Sequence, residues 1–199
     1  MQILKKEIRD RIETAARESF LEKGFSNASM RTIAKKAQIS TSNLYNYFKN
    51  KEELFYSITD PTIRKITALV QHFIKIEKKI GKEQFFSQIT QLMTKPIGEV
   101  IKNRRIEFQL IMDQSQGTRY ENFKNTLVNA IEEHFSEHIQ SNLDSKDQEL
   151  RDPFVFHIIA TNLLEGLLEL SRHYKNDEWI DSNINALMNY HIHGISALI

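Results

Sequence analysis

The side chains of this chain that could do chemistry fall in few places. His134, Glu137 and His138 spell H-x-x-E-H, with two imidazoles four apart on one helical face. Two zinc ligands can use that spacing, with the glutamate as general base of a metal-dependent hydrolase. A working site needs a third ligand from elsewhere. The surrounding IEEHFSEHIQ reads as the exposed face of an amphipathic helix, so a solvated face is the stronger reading. His191 and His193 lie two apart, on different sides of a helix. There is no glycine-rich phosphate loop, no G-x-S-x-G elbow and no cysteine nucleophile. The chain is therefore expected not to be an enzyme, with no catalytic residue, metal site or cofactor assigned.

A different chemistry is offered by Thr41, Ser42, Asn43, Tyr45, Asn46 and Tyr47. These are short hydroxyl and amide groups and phenols, with no acid among them. A helix that enters the major groove of DNA needs small hydrogen-bonding side chains near its amino end and no negative charge. Arg31, Lys35, Lys36, Lys49 and Lys51 flank the stretch and could meet phosphates.

The elements around these residues suit that task. Ser29 reads as the N-cap of a short helix whose apolar face is Ile33, Ala34 and Ala37. Ile39 carries the apolar contact across a turn. Ser40 caps the next helix, Ser40–Phe48, which Leu44 and Phe48 bury. Asn50 caps a third, with Glu52 and Glu53 in its first turn.

Residues 7–54 resemble the DNA-binding domain of the tetracycline-repressor (TetR) family. Ala15, Phe20, Gly24, Phe25, Arg31, Ile33, Ala34, Ala37, Ser40, Leu44, Tyr45, Tyr47, Phe48, Lys51 and Leu54 stand at the family's spacings. Two departures matter. Gln38 stands in the turn where the family usually has glycine, and is expected in a left-handed conformation. Ser42 stands where glycine or alanine is frequent, and changes what the helix offers the groove.

The resemblance implies an all-α protein: a three-helix helix-turn-helix domain, 1–50, and a helical ligand-binding and dimerisation domain, 51–199. It implies a homodimer on a palindromic operator of double-stranded DNA, acting as a repressor and released by a small-molecule effector. Base contacts are expected from Arg31, Thr41, Ser42, Asn43 and Asn46, and phosphate contacts from Lys35, Tyr45, Tyr47, Lys49 and Lys51. An activator or a regulator that answers to a protein would carry the same head, whereas a DNA-organising protein would show little discrimination between sites.

Composition agrees. Residues 1–51 hold 11 Lys and Arg against 5 Asp and Glu, whereas 52–199 hold 16 against 21, a basic head on an acidic body. With no cysteine, 3 prolines and 6 glycines, an all-helical cytoplasmic protein is expected. The start of the chain does not read as a signal peptide, and no apolar run is expected to reach the length that spans a bilayer.

Helical spacing predicts a first helix over 3–23, ended by Gly24, with Lys5, Lys6 and Arg9 able to reach the DNA backbone. The helix from Asn50 is expected to kink or break at Asp60-Pro61. Further helices are read over 83–102, bent or broken at Pro96, over 104–113, and from Tyr120 to about Leu143, with a turn at 115–118 and a loop at 141–152. Two apolar helices follow, one starting at Pro153 and one over 177–198. They are expected to pair with a second copy through Leu163, Leu167, Leu170, Ile184, Leu187, Met188, His191 and Ile195. Phe86, Met93, Phe108, Met112, Phe123 and Phe156 could line an apolar ligand pocket, with His157 and Asn162 as polar contacts.

Overall fold

The computed structural model describes residues 5–80, 82–140 and 154–196; positions 76–80, 82–89, 91, 135, 138–140, 195 and 196 are described by their backbone alone. Every regular element among the described residues is helical: α1 Lys6–Asn27, α2 Met30–Lys36, α3 Thr41–Tyr45, α4 Lys51–Ile80, α5 Lys82–Asp113, α6 Phe123–Gln140, α7 Phe154–Arg172 and α8 Asp177–Ser196. The expected loop at 141–152, the helix start at Pro153 and the end at Leu198 lie outside the described residues.

Two compact units result. The first joins Met1–Lys65 to Ile106–Asn122. Its core is aromatic: the Phe20 and Phe55 rings meet edge to face at 5.1 Å, and Phe25 meets Phe55 at 5.1 Å. Leu110, fully buried, enters the same core from α5. Polar contacts fasten the 106–122 segment there. The Phe25 N–H donates to the Gln114 carbonyl at 2.9 Å, and the Ser26 hydroxyl to the Gln116 carbonyl at 2.7 Å. Arg17 Nε donates to the nearly buried Glu107 carboxylate at 2.8 Å.

The predicted break at Pro61 does not occur, since α4 runs through it. Proline removes one helical hydrogen bond but leaves the residues beyond free to continue. Side-chain bonds hold Asp60, which precedes it. Arg119 donates to both its carboxylate oxygens at 2.8 Å and Tyr120 donates to one at 2.6 Å. Pro96 likewise sits inside α5; the irregular residue of α5 is Arg104, φ −139° and ψ 29°, where the sequence separates two helices.

The second unit holds Ile66–Arg105 and Phe123–Ile199. Here α7 packs against both α6 and α8. Phe156, Ala160, Leu163, Leu164, Leu167 and Leu168 of α7 are buried, with Ile180, Ile184 and Met188 of α8. α7 is long and apolar enough to cross a membrane by length and composition, which amends the expectation that no segment reaches that length. Its packing against two neighbours is that of a core helix. α6 begins at Phe123 rather than Tyr120, because the Thr118 and Ser115 hydroxyls hold 115–120 as turns.

Candidate nucleic-acid interface

The groove-facing stretch is built by caps. The Ser29 hydroxyl accepts from the Thr32 N–H at 3.2 Å and opens α2, whose Met30, Ile33 and Ala34 are buried. Past the C-cap of α2, Ala37, Gln38 stands at φ 55°, in the left-handed region. The Gln38 N–H donates to the Lys35 carbonyl at 3.1 Å and the Ile39 N–H to the Ala34 carbonyl at 3.0 Å, the paired bonds of a Schellman turn. Glycine enters that conformation freely. A side chain there costs about 1 kcal/mol or somewhat more. Ser40 then accepts from the Asn43 N–H at 3.1 Å and opens α3.

α3 is shorter than the sequence suggests. It closes at Tyr45, and the N–H groups of Tyr47 and Phe48 both turn back to the Leu44 carbonyl. Leu44 and Phe48 are fully buried beneath it. The Asn50 side chain then accepts from the Glu53 N–H at 2.7 Å while Glu53 accepts from the Lys49 N–H at 2.7 Å, a reciprocal cap that opens α4.

Ser42, Asn46 and Arg31 are exposed, and Thr41 and Asn43 are half-buried on the same short helix and its approach. Lys35 and Lys49 are exposed, and Tyr45 is 49% exposed. Lys36 turns the other way, donating to Glu22 at 2.7 Å. That hydrogen bond holds the Glu22 carboxyl below its ordinary value and raises the Lys36 ammonium.

Two residues expected at phosphates have other work. Tyr47 is 9% exposed, and its hydroxyl accepts from the Lys5 N–H at 3.1 Å, tying the start of α1 to the end of α3. Lys51 sends its ammonium to the carbonyls of Phe25, Ser26 and Ala28 at 2.7, 3.1 and 3.1 Å. An ammonium has three donors, and all three are committed to closing the end of α1. In this structure the Lys51 ammonium braces the end of α1. Arg9, near the start of α1, lies 4.8 Å from the centre of the Phe48 ring just past α3 and pairs with Glu13.

Sequence reasoning passed over Arg11. Its Nη2 donates to the carbonyls of Ala37 and Gln38, the latter at 3.2 Å. The signal was present: Arg11 stands one turn before buried Ala15 and next to buried Ile12, so it emerges at the edge of the core face.

The pocket residues do not form one described group. Phe108 and Met112 are buried in the first unit. Met93, Phe123, Phe156, His157 and Asn162 belong to the second, where Phe156 is buried and Asn162 exposed. His157 Nδ1 and Glu132 Oε2 lie 2.9 Å apart. The Phe86 side chain lies outside the described residues, as do those of His138 and Ile195.

The residues expected to meet a second copy are largely spent within one subunit. Leu163, Leu167, Ile184, Met188 and His191 are each 8% exposed or less in the single chain, while Leu170 and Leu187 are half-buried. α7 packs against α6 and α8 within the subunit. The large apolar groups left outside on these helices are Phe154, Ile158 and Tyr190, at 62%, 43% and 74% exposure.

Comparison with known proteins agrees with the geometry. Residues 12–58 match the model described as bacterial regulatory proteins, tetR family. The HTH-type transcriptional regulator QacR of Staphylococcus aureus (strain Mu50 / ATCC 700699) is 25% identical over 195 residues, 96% of this chain and 84% of that protein. AibR, solved in complex with isovaleryl coenzyme A and operator DNA, superposes with a TM-score of 0.59 at 20% identity, covering 91% of this chain and 97% of that one. NalD, the secondary repressor of the MexAB-OprM multidrug efflux pump in Pseudomonas aeruginosa, superposes with a TM-score of 0.55 at 19% identity, over 96% and 98% of the two chains.

Proposed function

We propose that this chain, a DNA-binding transcriptional regulator of the tetR family, works as a repressor: a homodimer that grips a palindromic operator and lets go when a small molecule binds its carboxy-terminal helices. The observation that carries the DNA side is α3 itself. A capped, acid-free helix and its C-cap present Ser42, half-buried Asn43 and Asn46, on a head with hydrogen-bonded caps at Ser29, Ser40 and Asn50. Thr41 and Arg31 complete the base-facing set, and Lys35, Tyr45 and Lys49 hold the phosphates on either side. Two copies set their α3 helices about one duplex turn apart, which is why the operator is palindromic.

The effector half of the reading is supported by relatives. AibR was crystallised with an acyl coenzyme A as well as operator DNA, and NalD is described as a repressor. In this chain the second unit, with its buried Phe156 and half-buried Met93 and Phe123, is where a small apolar or amphipathic molecule would lodge. The chain works in the cytoplasm, where its operator is.

Selection of bound duplexes from a random pool tests the reading. A palindromic consensus is expected, bound by two copies per site. Equal retention of all duplexes at low salt would sink it, as would a single copy per bound site.

A further inference from the structure

We infer that Arg11 is a positioning residue for the DNA-reading helix: it clamps the strained turn at Gln38 and so fixes the angle at which α3 meets the groove. The inference rests on the DNA-binding reading above.

The turn between α2 and α3 lacks the residue that would make it easy. Gln38 holds φ 55°, which a glycine would adopt without penalty. The Schellman bonds satisfy the N–H groups of Gln38 and Ile39, and the carbonyls of Ala37 and Gln38 take no part in them. Both accept from the same Arg11 nitrogen, Nη2, the Gln38 bond at 3.2 Å. A cation at that place is also favoured by the negative end of α2.

The clamp is anchored. Arg11 rises from α1 between buried Ile12 and the cleft that Thr14, Lys36, Ala37 and Gln38 share with it. One guanidinium therefore ties α1 to Ala37, the C-cap of α2, and to the strained residue of the turn. Ser40, two positions on, is the N-cap of α3. With so short a link, relaxation of Gln38 toward an ordinary conformation re-aims the whole of α3. Arg11 needs no contact with DNA for this.

The test uses the full chain and a duplex selected by the wild-type protein, with R11A, R11K, Q38G and R11A/Q38G compared well below their melting temperatures. R11A is expected to weaken that duplex about tenfold while the slope of affinity against salt stays unchanged, since no phosphate contact is lost. R11K, still a cation within reach of the carbonyls, retains most of the affinity. Q38G added to R11A recovers most of the loss, because glycine keeps the turn without a clamp. If R11A binds as tightly as wild type and only melts earlier, Arg11 is a stability residue and the inference falls. It falls equally if R11A flattens the salt slope by about one phosphate and Q38G recovers nothing. Absence of duplex preference in the wild-type chain would sink the DNA-binding reading itself, and the inference with it.

Discussion

The Lys51 ammonium sits 4.4 Å from the centre of the Phe25 ring and donates to the Phe25 carbonyl at 2.7 Å. Together with the bonds to Ser26 and Ala28, this makes Lys51 the closure of the α1 end. Hydrogen bonds from a charged donor contribute about 1.5–3 kcal/mol. Lys51→Met should lower the melting temperature by several degrees, at about 2–4 °C per kcal/mol for a chain of this size. The salt dependence of DNA binding should not change. Thermal denaturation and a salt titration check the two halves; a slope flattened by Lys51→Met would return the residue to the phosphates.

Gly24 occupies φ 72° and ψ 164°, a region open in practice only to glycine, and an added Cβ would stand 3.0 Å from Gln114 Oε1. Gly24→Ala is expected to destabilise the chain by about 1–3 kcal/mol, read as a shift in urea midpoint. It should weaken DNA binding only in proportion to the unfolded fraction.

Tyr120 gives an alkaline signature. Burial, and then the hydrogen bond to Asp60, push its hydroxyl above the ordinary value, while Arg119 pulls the other way. The raised value favours the neutral phenol in the folded chain. Its stabilising share is whole below the unfolded pKa of about 10 and is lost as pH rises through the higher folded value. Wild-type melting temperature should therefore drop above that pH. Tyr120→Phe should melt lower at neutral pH and show a smaller alkaline drop. Some drop should remain, because Tyr174 is also raised, by its hydrogen bond to Asp177.

Base reading is tested on α3. Asn43→Ala and Asn46→Ala should each relax preference at one base pair per half-site, costing about 1–3 kcal/mol there. Lys49→Ala should weaken all sequences alike and flatten the salt slope. Competition between single-substitution operators separates the two patterns. A uniform loss for both asparagine variants would remove them from the bases.

The two sides of α7 predict opposite outcomes. Leu167, 8% exposed, belongs to the subunit core, and Leu167→Ala should cost about 2–5 kcal/mol of stability. Ile158, 43% exposed in the single chain, should tolerate Glu as far as folding goes, while the variant sediments as a weaker dimer. Unaltered association of Ile158→Glu would place the contact between copies elsewhere.

Much of the head was legible because its signals are local. The caps at Ser29, Ser40 and Asn50 and the left-handed Gln38 each depend on a few neighbouring residues, and each appears in the structure. The bracing bonds of Lys51 were not legible because its partners lie more than twenty residues back and are carbonyls, which every residue carries. How far the apolar residues of α7 and α8 are buried within one subunit was not legible for another reason. Helical periodicity marks an apolar face but does not distinguish a face turned to a sister helix from one turned to a second copy. Pro61 was read by its chemistry alone, without Arg119 and Tyr120, which hold the residue before it from sixty positions away.

The head has two separate stretches of chain in its core, with Leu110 and Tyr120 packed among residues that end at Lys65. A nascent chain that has released residues up to Lys65 from the ribosome therefore still lacks the Leu110 and Tyr120 share of its core. At about 5–20 residues per second, that share arrives several seconds late. During that interval the part of the core that receives Leu110 stays uncovered, so the youngest copies of this protein are also its most adhesive.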